Sequence, residues 1–108
     1  MFKRFKTDDC DILTVKGKLM GGPETNDFRI LVSEIQDEGE EMLIVDLGEL
    51  QWINSAGVGA LISSYVTYHN KNKKIKFVNL SPKVQEVLKI TRLDTVLEIH
   101  ATVDEAKY

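Results

Sequence analysis

The fold of this chain is decided by the stretch Asp46-Leu47-Gly48-Glu49-Leu50-Gln51-Trp52-Ile53-Asn54-Ser55-Ala56-Gly57-Val58-Gly59-Ala60-Leu61. This pattern predicts the end of a buried strand, a short loop and a helix that begins at Ser55. Ser55 is the predicted N-cap, because a serine oxygen accepts hydrogen bonds from free N–H groups of a first helical turn. No charged residue occurs between Leu50 and Asn70, although charged residues make up 29% of the chain. The absence of charge marks this helix as unusual.

A helical projection of residues 55–70, at about 100° per residue, separates two faces. The predicted core face carries Val58, Leu61, Ile62, Tyr65 and His69. The opposite face carries Ala56, Gly59, Ala60, Ser63, Ser64 and Thr67, where a solvated helix usually carries charges. That face is either buried within its own domain, or solvated, or covered by another protein. Small uncharged residues are desolvated at little cost, which favours a protein-contact surface centred on Ser55.

Size and charge restrict the class of protein. A chain of 108 residues predicts one domain over residues 1–108. The net charge of −3 argues against nucleic acid as a direct partner. No apolar run approaches the roughly 20 residues that cross a membrane, and no signal peptide follows the basic start, so we expect a cytoplasmic protein without membrane insertion. One cysteine and two histidines predict no disulfide, metal site or cofactor.

The rest of the chain alternates strands and helices. The predicted strands are Phe2–Thr7, Ile12–Lys18, Met42–Leu47, Ile75–Leu80 and Val96–His100, with a polar turn at Asp8–Asp11. Helices are predicted from Gly22-Pro23 to near Gly39, over Ser55–Asn70, from Ser81-Pro82, and over Val103–Lys107. This order predicts an α/β fold with a small mixed, mostly parallel sheet of four or five strands and three or four helices, the first strand being antiparallel.

No catalytic constellation can be assembled from these residues, so we expect a protein that is not an enzyme. His69 lies about four turns from Ser55 along the predicted helix and cannot act as its base. Gly57-Val58-Gly59 lacks the third glycine of a dinucleotide fingerprint, which leaves nucleotide binding as the weaker alternative. Trp52 either anchors a partner, as interface tryptophans do, or packs the loop onto the domain.

Ser55 is a candidate phosphoacceptor. A phosphate there would add about −1.5 to −2 charges at pH 7, and the positive end of the helix would hold it without disrupting the fold. A partner that desolvates the uncharged face would then meet an unpaired dianion. Phosphorylation of Ser55 would therefore act as a reversible switch on binding.

The same stretch resembles the signature of STAS domains, in particular of bacterial anti-anti-sigma factors, which are also called anti-sigma factor antagonists. The family pattern is a strand ending in Asp-Leu, a loop, and Asp-Ser-Ser/Thr-Gly-Leu/Val-Gly opening a helix. Val45-Asp46-Leu47 and Asn54-Ser55-Ala56-Gly57-Val58-Gly59 follow it closely. Gly17-Lys18-Leu19 and Ser81-Pro82-Lys83-Val84 ahead of Leu93 also match, so the resemblance covers nearly the whole chain.

The resemblance implies that an anti-sigma factor serine kinase phosphorylates Ser55, binds only the unphosphorylated protein, and is opposed by a serine phosphatase. The predicted partner-binding residues are Trp52, Asn54, Ser55, Ala56, Gly57, Gly59, Ala60 and Ser63. Asn54 replaces the family's aspartate, Ala56 replaces its second hydroxyl, and Gly21-Gly22-Pro23 replaces a polar turn. The alternative function is a non-catalytic STAS scaffold or a cytoplasmic subunit of a transporter or signalling complex.

Overall fold

The computed structural model describes residues 1–7 and 9–107. The strands are β1 Phe2–Lys6, β2 Asp11–Val15, β3 Gly17–Leu19, β4 Met42–Asp46, β5 Leu50–Ile53, β6 Lys74–Val78 and β7 Ile99–His100. The helices are α1 Pro23–Glu38, α2 Ser55–Asn70, α3 Pro82–Ile90 and α4 Val103–Ala106. A five-stranded sheet has the order β1-β2-β4-β6-β7, in which only β1 runs antiparallel to its neighbour. The predicted mixed, mostly parallel α/β fold is confirmed.

The central strand β4 places its side chains in two separate layers. Leu43 and Val45 face the main core, which α1, α2 and α3 cover. Ile44 faces a smaller apolar cluster together with Val78 and Ala106 of α4. Because successive strand residues point to opposite faces, the continuous apolar run that predicted a central strand reflects burial on both faces.

Proline signals predicted the starts of two helices correctly. Gly22 is the N-cap of α1 with Pro23 as its first residue, and Gly39 ends that helix. Ser81 precedes Pro82 in the same way at α3. Proline suits the first helical position for two reasons: its fixed φ is close to the helical value, and a backbone N–H at this position would have no acceptor within the helix. Within the described residues, no helix combines the length and the apolarity that crossing a membrane requires.

A second, two-stranded parallel sheet of β3 and β5 was not predicted. The predicted strand 12–18 is split at Gly17, which adopts a φ of +87° and donates its N–H to the Glu49 carbonyl at 3.0 Å. This turn moves β3 away from the main sheet and onto β5. Thr14 of β2, a strand that lies between β1 and β4, is buried.

Two further predictions are corrected. The last strand is limited to Ile99–His100, because Arg92 adopts a left-handed conformation and Leu93–Thr95 form a turn of 3-10 helix. Asp11 does not lie in a polar turn but begins β2 with no exposed surface. Its carboxylate accepts from the Glu40 N–H at 2.8 Å and pairs with Arg4, which makes the burial of this charge tolerable.

Asp8, the first residue of the turn predicted at Asp8–Asp11, lies outside the described residues, as does Tyr108.

Candidate functional site

Asn54, rather than Ser55, caps the N-terminus of α2. The Asn54 side-chain oxygen accepts the N–H of Gly57 at 3.1 Å, and Ser55 is the first helical residue with an exposed side chain. The predicted cap is therefore wrong by one residue, because asparagine caps a helix at least as well as serine. The hydroxyl of Ser55 is not needed for the cap and is presented to solvent.

The first turn of α2 keeps backbone donors beside Ser55. The N–H of Asn54 donates to the Leu19 carbonyl at 3.4 Å, and the N–H of Gly57 is used by the cap. The N–H groups of Ser55 and Ala56 have no acceptor in the part of the chain that the structure describes. Free donors at the positive end of a helix dipole favour an anion at this position.

Gly57 allows α2 to approach β3. A Cβ at position 57 would collide with the Leu19 carbonyl oxygen and would lie 2.9 Å from the side chain of Ile53. Gly57 is itself buried. It therefore serves the packing of the helix start onto the small sheet and offers a partner little accessible surface.

The small-residue face of α2 is only partly available to a partner. Ser55, Ala56 and Ser63 are exposed and Gly59 is half-buried, whereas Ala60 is fully buried. Ser64, predicted to lie on this same face, is also buried and donates its hydroxyl to the Ala60 carbonyl at 2.8 Å. Burial within the fold, one of the alternatives left open by the sequence, thus holds for the side of α2 that packs against α1.

The core stripe of α2 is rotated from its predicted position. Tyr68 is fully buried, while His69, which was predicted to face the core, is exposed and stacks on Tyr65 with 5.8 Å between ring centroids. The cause is the packing of α1 against α2, which buries a second stripe of residues spaced four apart, namely Ala60, Ser64 and Tyr68. Burial raises the pKa of the Tyr68 phenol.

Two exposed apolar side chains lie near Ser55. Trp52 was predicted in a loop but lies on β5, opposite Lys18 of β3, with 60% of its surface exposed. Met20, which no sequence pattern indicates as a contact residue, follows β3 and is 42% exposed. The exposure of Trp52 favours the alternative in which its side chain anchors a partner. Large apolar side chains at the surface are typical anchors of protein contacts.

A cation borders the uncharged face. One terminal guanidinium nitrogen of Arg29, on α1, lies 3.9 Å from the position that a Cβ on Gly59 would take. Arg29 also lines a small groove of about 80 Å³ between the two helices, together with Ser33 and Ser63. The sequence could not indicate this, because the remainder of α1 and the strands β4 and β5 separate Arg29 from the site along the chain.

The segment Met20–Gly22, here called the Met20 loop, is held against the first turn of α1. The carboxylate of Glu24 accepts the N–H groups of Met20 at 3.0 Å and Gly22 at 3.2 Å. The hydroxyl of Thr25 accepts the N–H of Gly21 at 2.8 Å. The two bonds to Glu24 hold the pKa of its carboxyl below the usual value, and the bond from the Met20 N–H has the larger effect.

Acidification is expected to loosen the Met20 loop. The pKa of the Glu24 carboxyl is lower in the folded chain than in the unfolded chain, where it is about 4.3. The stabilisation that the ionised carboxylate gives to the Met20 loop is therefore complete above the unfolded-state pKa. It is lost as the pH falls through the folded-state pKa. NMR-detected exchange of the Met20 and Gly22 amides, corrected for intrinsic rates, should show falling protection over this range.

The Glu24→Gln variant is the control for this titration. Its side chain still offers an oxygen to the loop but cannot titrate, so its loop protection should not follow that transition. A wild-type loop whose protection is constant through the Glu24 titration would contradict the prediction.

A model of the STAS domain family matches residues 5–106. The chain belongs to the STAS domain family. The match extends from β1 to the end of α4, so it includes Ser55, its cap and the Met20 loop.

Solved STAS structures share the fold. TM1081 from Thermotoga maritima superposes with a TM-score of 0.89 at 24% identity, over 98% of this chain and 91% of that one. An anti-sigma factor antagonist from Mycobacterium paratuberculosis gives 0.85 at 19% identity, over 98% and 89%. The anti-sigma factor antagonist SpoIIAA, in its unphosphorylated form, gives 0.80 at 21% identity, over 98% and 92%. At these identities the likeness concerns the fold alone.

Proposed function

We propose that this STAS domain is an anti-sigma factor antagonist of a partner-switching system. It binds an anti-sigma factor serine kinase while Ser55 is unmodified, and phosphorylation of Ser55 ends that binding. In this proposal the protein is a cytoplasmic, non-catalytic regulator that needs no cofactor and does not contact nucleic acid. The observation that carries the proposal is an exposed serine at the first position of α2, where Asn54 supplies the cap.

The existence of a structural relative in both phosphorylation states supports the proposal. SpoIIAA, one of the superposed anti-sigma factor antagonists, has been solved in an unphosphorylated and in a phosphorylated form. The phosphorylated form superposes on this chain with a TM-score of 0.74. A fold of this kind therefore tolerates phosphorylation in that protein.

The local geometry supports a phosphate on Ser55. The free N–H groups of Ser55 and Ala56 can donate to phosphate oxygens, and the helix dipole favours negative charge at this end. Because these donors already exist in the unmodified protein, we expect α2 to keep its position on phosphorylation. The effect of the phosphate would then be felt by the partner and not by the fold.

The proposed contact surface is smaller than the one predicted from sequence. It retains the accessible residues Trp52, Asn54, Ser55, Ala56, Gly59 and Ser63, and it gains Met20. Gly57 and Ala60 support it from within the fold. The surface is uncharged, so a partner can desolvate it at low cost until a phosphate is added.

We expect a single removable phosphoryl group on Ser55 in protein purified from its native cells. The measurement is intact mass and peptide mapping before and after treatment with a serine phosphatase. Ser55→Ala should abolish the modification. Ser63→Ala, which removes an exposed hydroxyl of the same helix, should leave it unchanged.

Two results would contradict this proposal: a phosphoryl group that persists in Ser55→Ala, or a chain that is unmodified under every growth condition. The second result would favour the alternative of a constitutive STAS scaffold or a transporter subunit. Co-purification with a membrane complex, independent of phosphatase treatment, would then be the next observation to seek.

A further inference from the structure

The Met20 loop has two different attachments. All of its N–H groups donate to side chains from the first turn of α1, namely the carboxylate of Glu24 and the hydroxyl of Thr25. Its Met20 carbonyl is instead held from the other side, by the side-chain amide of Asn54 at 2.9 Å. The loop therefore bridges α1 and the start of α2, next to the residue proposed as phosphoacceptor.

The amide of Asn54 performs two roles that no other residue of its size combines. Its oxygen accepts the Gly57 N–H at 3.1 Å and its nitrogen donates to the Met20 carbonyl. A backbone N–H can only donate and a carbonyl can only accept, so these partners fix the orientation of the amide. An ionised aspartate, the residue of the family pattern at this position, can cap the helix but cannot donate to Met20.

A close contact beside this bond completes the attachment. Gly21 adopts a φ of +92°, and a Cβ built on it would lie 2.9 Å from the Cβ of Ala56. Glycine is suited to this conformation and to this approach. Asn54, Ala56 and the glycine-containing loop are the positions at which the sequence departs from the family pattern, and the structure brings all three into contact.

We propose that Asn54 is a positioning residue that locks the Met20 loop onto the start of α2. The lock makes the exposed Met20 side chain and Ser55 parts of one rigid surface. Its role in recognition rests on the proposed function, whereas the lock itself does not. The partner that fits this surface has an apolar pocket for Met20 and no cation opposite residue 54, because this chain offers no charge there.

The test is NMR-detected amide exchange of the unmodified full chain and two variants, Asn54→Asp and Asn54→Ala. The Asp variant keeps an oxygen for the helix cap and has no donor for the Met20 carbonyl, and the uncharged Ala variant offers neither group. Protection of the Met20 and Gly21 amides should fall about fivefold or more in both, the loss expected for one neutral hydrogen bond. Agreement between the charged and the uncharged variant excludes an effect of charge alone.

Two internal references separate the lock from a general loss of stability. Protection of the Gly57 amide should be retained in Asn54→Asp, because the carboxylate still accepts it. Protection of the Ala106 amide in the terminal helix α4, which belongs to the separate apolar cluster with Ile44 and Val78, should be unchanged in both variants, because its local opening does not break the bond from Asn54. Undiminished protection of the loop in either variant would overturn the proposal, and so would a loss of equal size in the loop and at Ala106.

This experiment needs neither a partner nor a phosphate. A loosened loop together with an unmodified Ser55 in cells would leave the lock standing and remove the proposed function. An unchanged loop together with a phosphorylated Ser55 would do the reverse.

Discussion

Phosphorylation of Ser55 is expected to lower the affinity for the anti-sigma factor kinase by about 150- to 4,000-fold, equivalent to about 3 to 5 kcal/mol. The physical reason is that the kinase must desolvate an uncharged surface, and the dianion at its centre, held by backbone N–H groups alone, would meet no compensating charge on the kinase. The fold should remain intact, because the phosphate adds charge at the positive end of α2. Isothermal titration calorimetry of both forms measures the ratio.

Substitutions at Ser55 separate the charge from the hydroxyl. Ser55→Ala should bind constitutively with nearly wild-type affinity, since it keeps the surface uncharged. Ser55→Asp should bind more weakly than Ser55→Ala, but less weakly than the phosphoprotein, because it carries one charge and fewer acceptor oxygens. Equal affinities of the Ala and Asp variants for the kinase would contradict the proposed switch, whatever the modification state of the protein in cells.

Replacing Gly57 by alanine is expected to destabilise the fold by about 1 to 3 kcal/mol. The new methyl group would meet the backbone carbonyl of Leu19, which belongs to β3 and cannot rotate away as a side chain would. To relieve the collision, α2 would have to move away from the small sheet, and Asn54 and Ser55 would move with it.

Gly59→Ala is the matched control on the same helix. Its methyl group would find only an ordinary contact with Arg29, at 3.9 Å. Alanine is favoured over glycine inside a helix, so this variant should gain up to about 1 kcal/mol. Urea unfolding followed by circular dichroism measures both. A Gly57→Ala variant as stable as Gly59→Ala would contradict the packing described for α2 and β3.

Local signals in the sequence were sufficient for most elements of the fold. Gly22-Pro23 and Ser81-Pro82 marked helix starts because the conformational preference of proline acts within one or two residues. The apolar run from Met42 marked the central strand, since only burial on both faces explains so many successive apolar residues. The position of Ser55 at the beginning of a helix also followed from local sequence, to within one residue.

Other features depend on contacts between distant residues. The pairing of β3 with β5 joins two short segments whose own patterns are too brief to announce a strand. The burial of Ala60 and Ser64 and the exposure of His69 follow from where α1 packs on α2. A projection of α2 alone contains no information about the direction from which a neighbouring helix approaches.

The sequence by itself determined the family, the order of strands and helices, and a serine without charged neighbours at the start of α2. These properties are written in residue types and their spacing along one segment. Only the tertiary structure decided that Asn54 caps the helix and also binds the Met20 carbonyl, so that the Met20 loop joins the site. That bond spans 34 positions of the chain, and its existence depends on how two elements pack together.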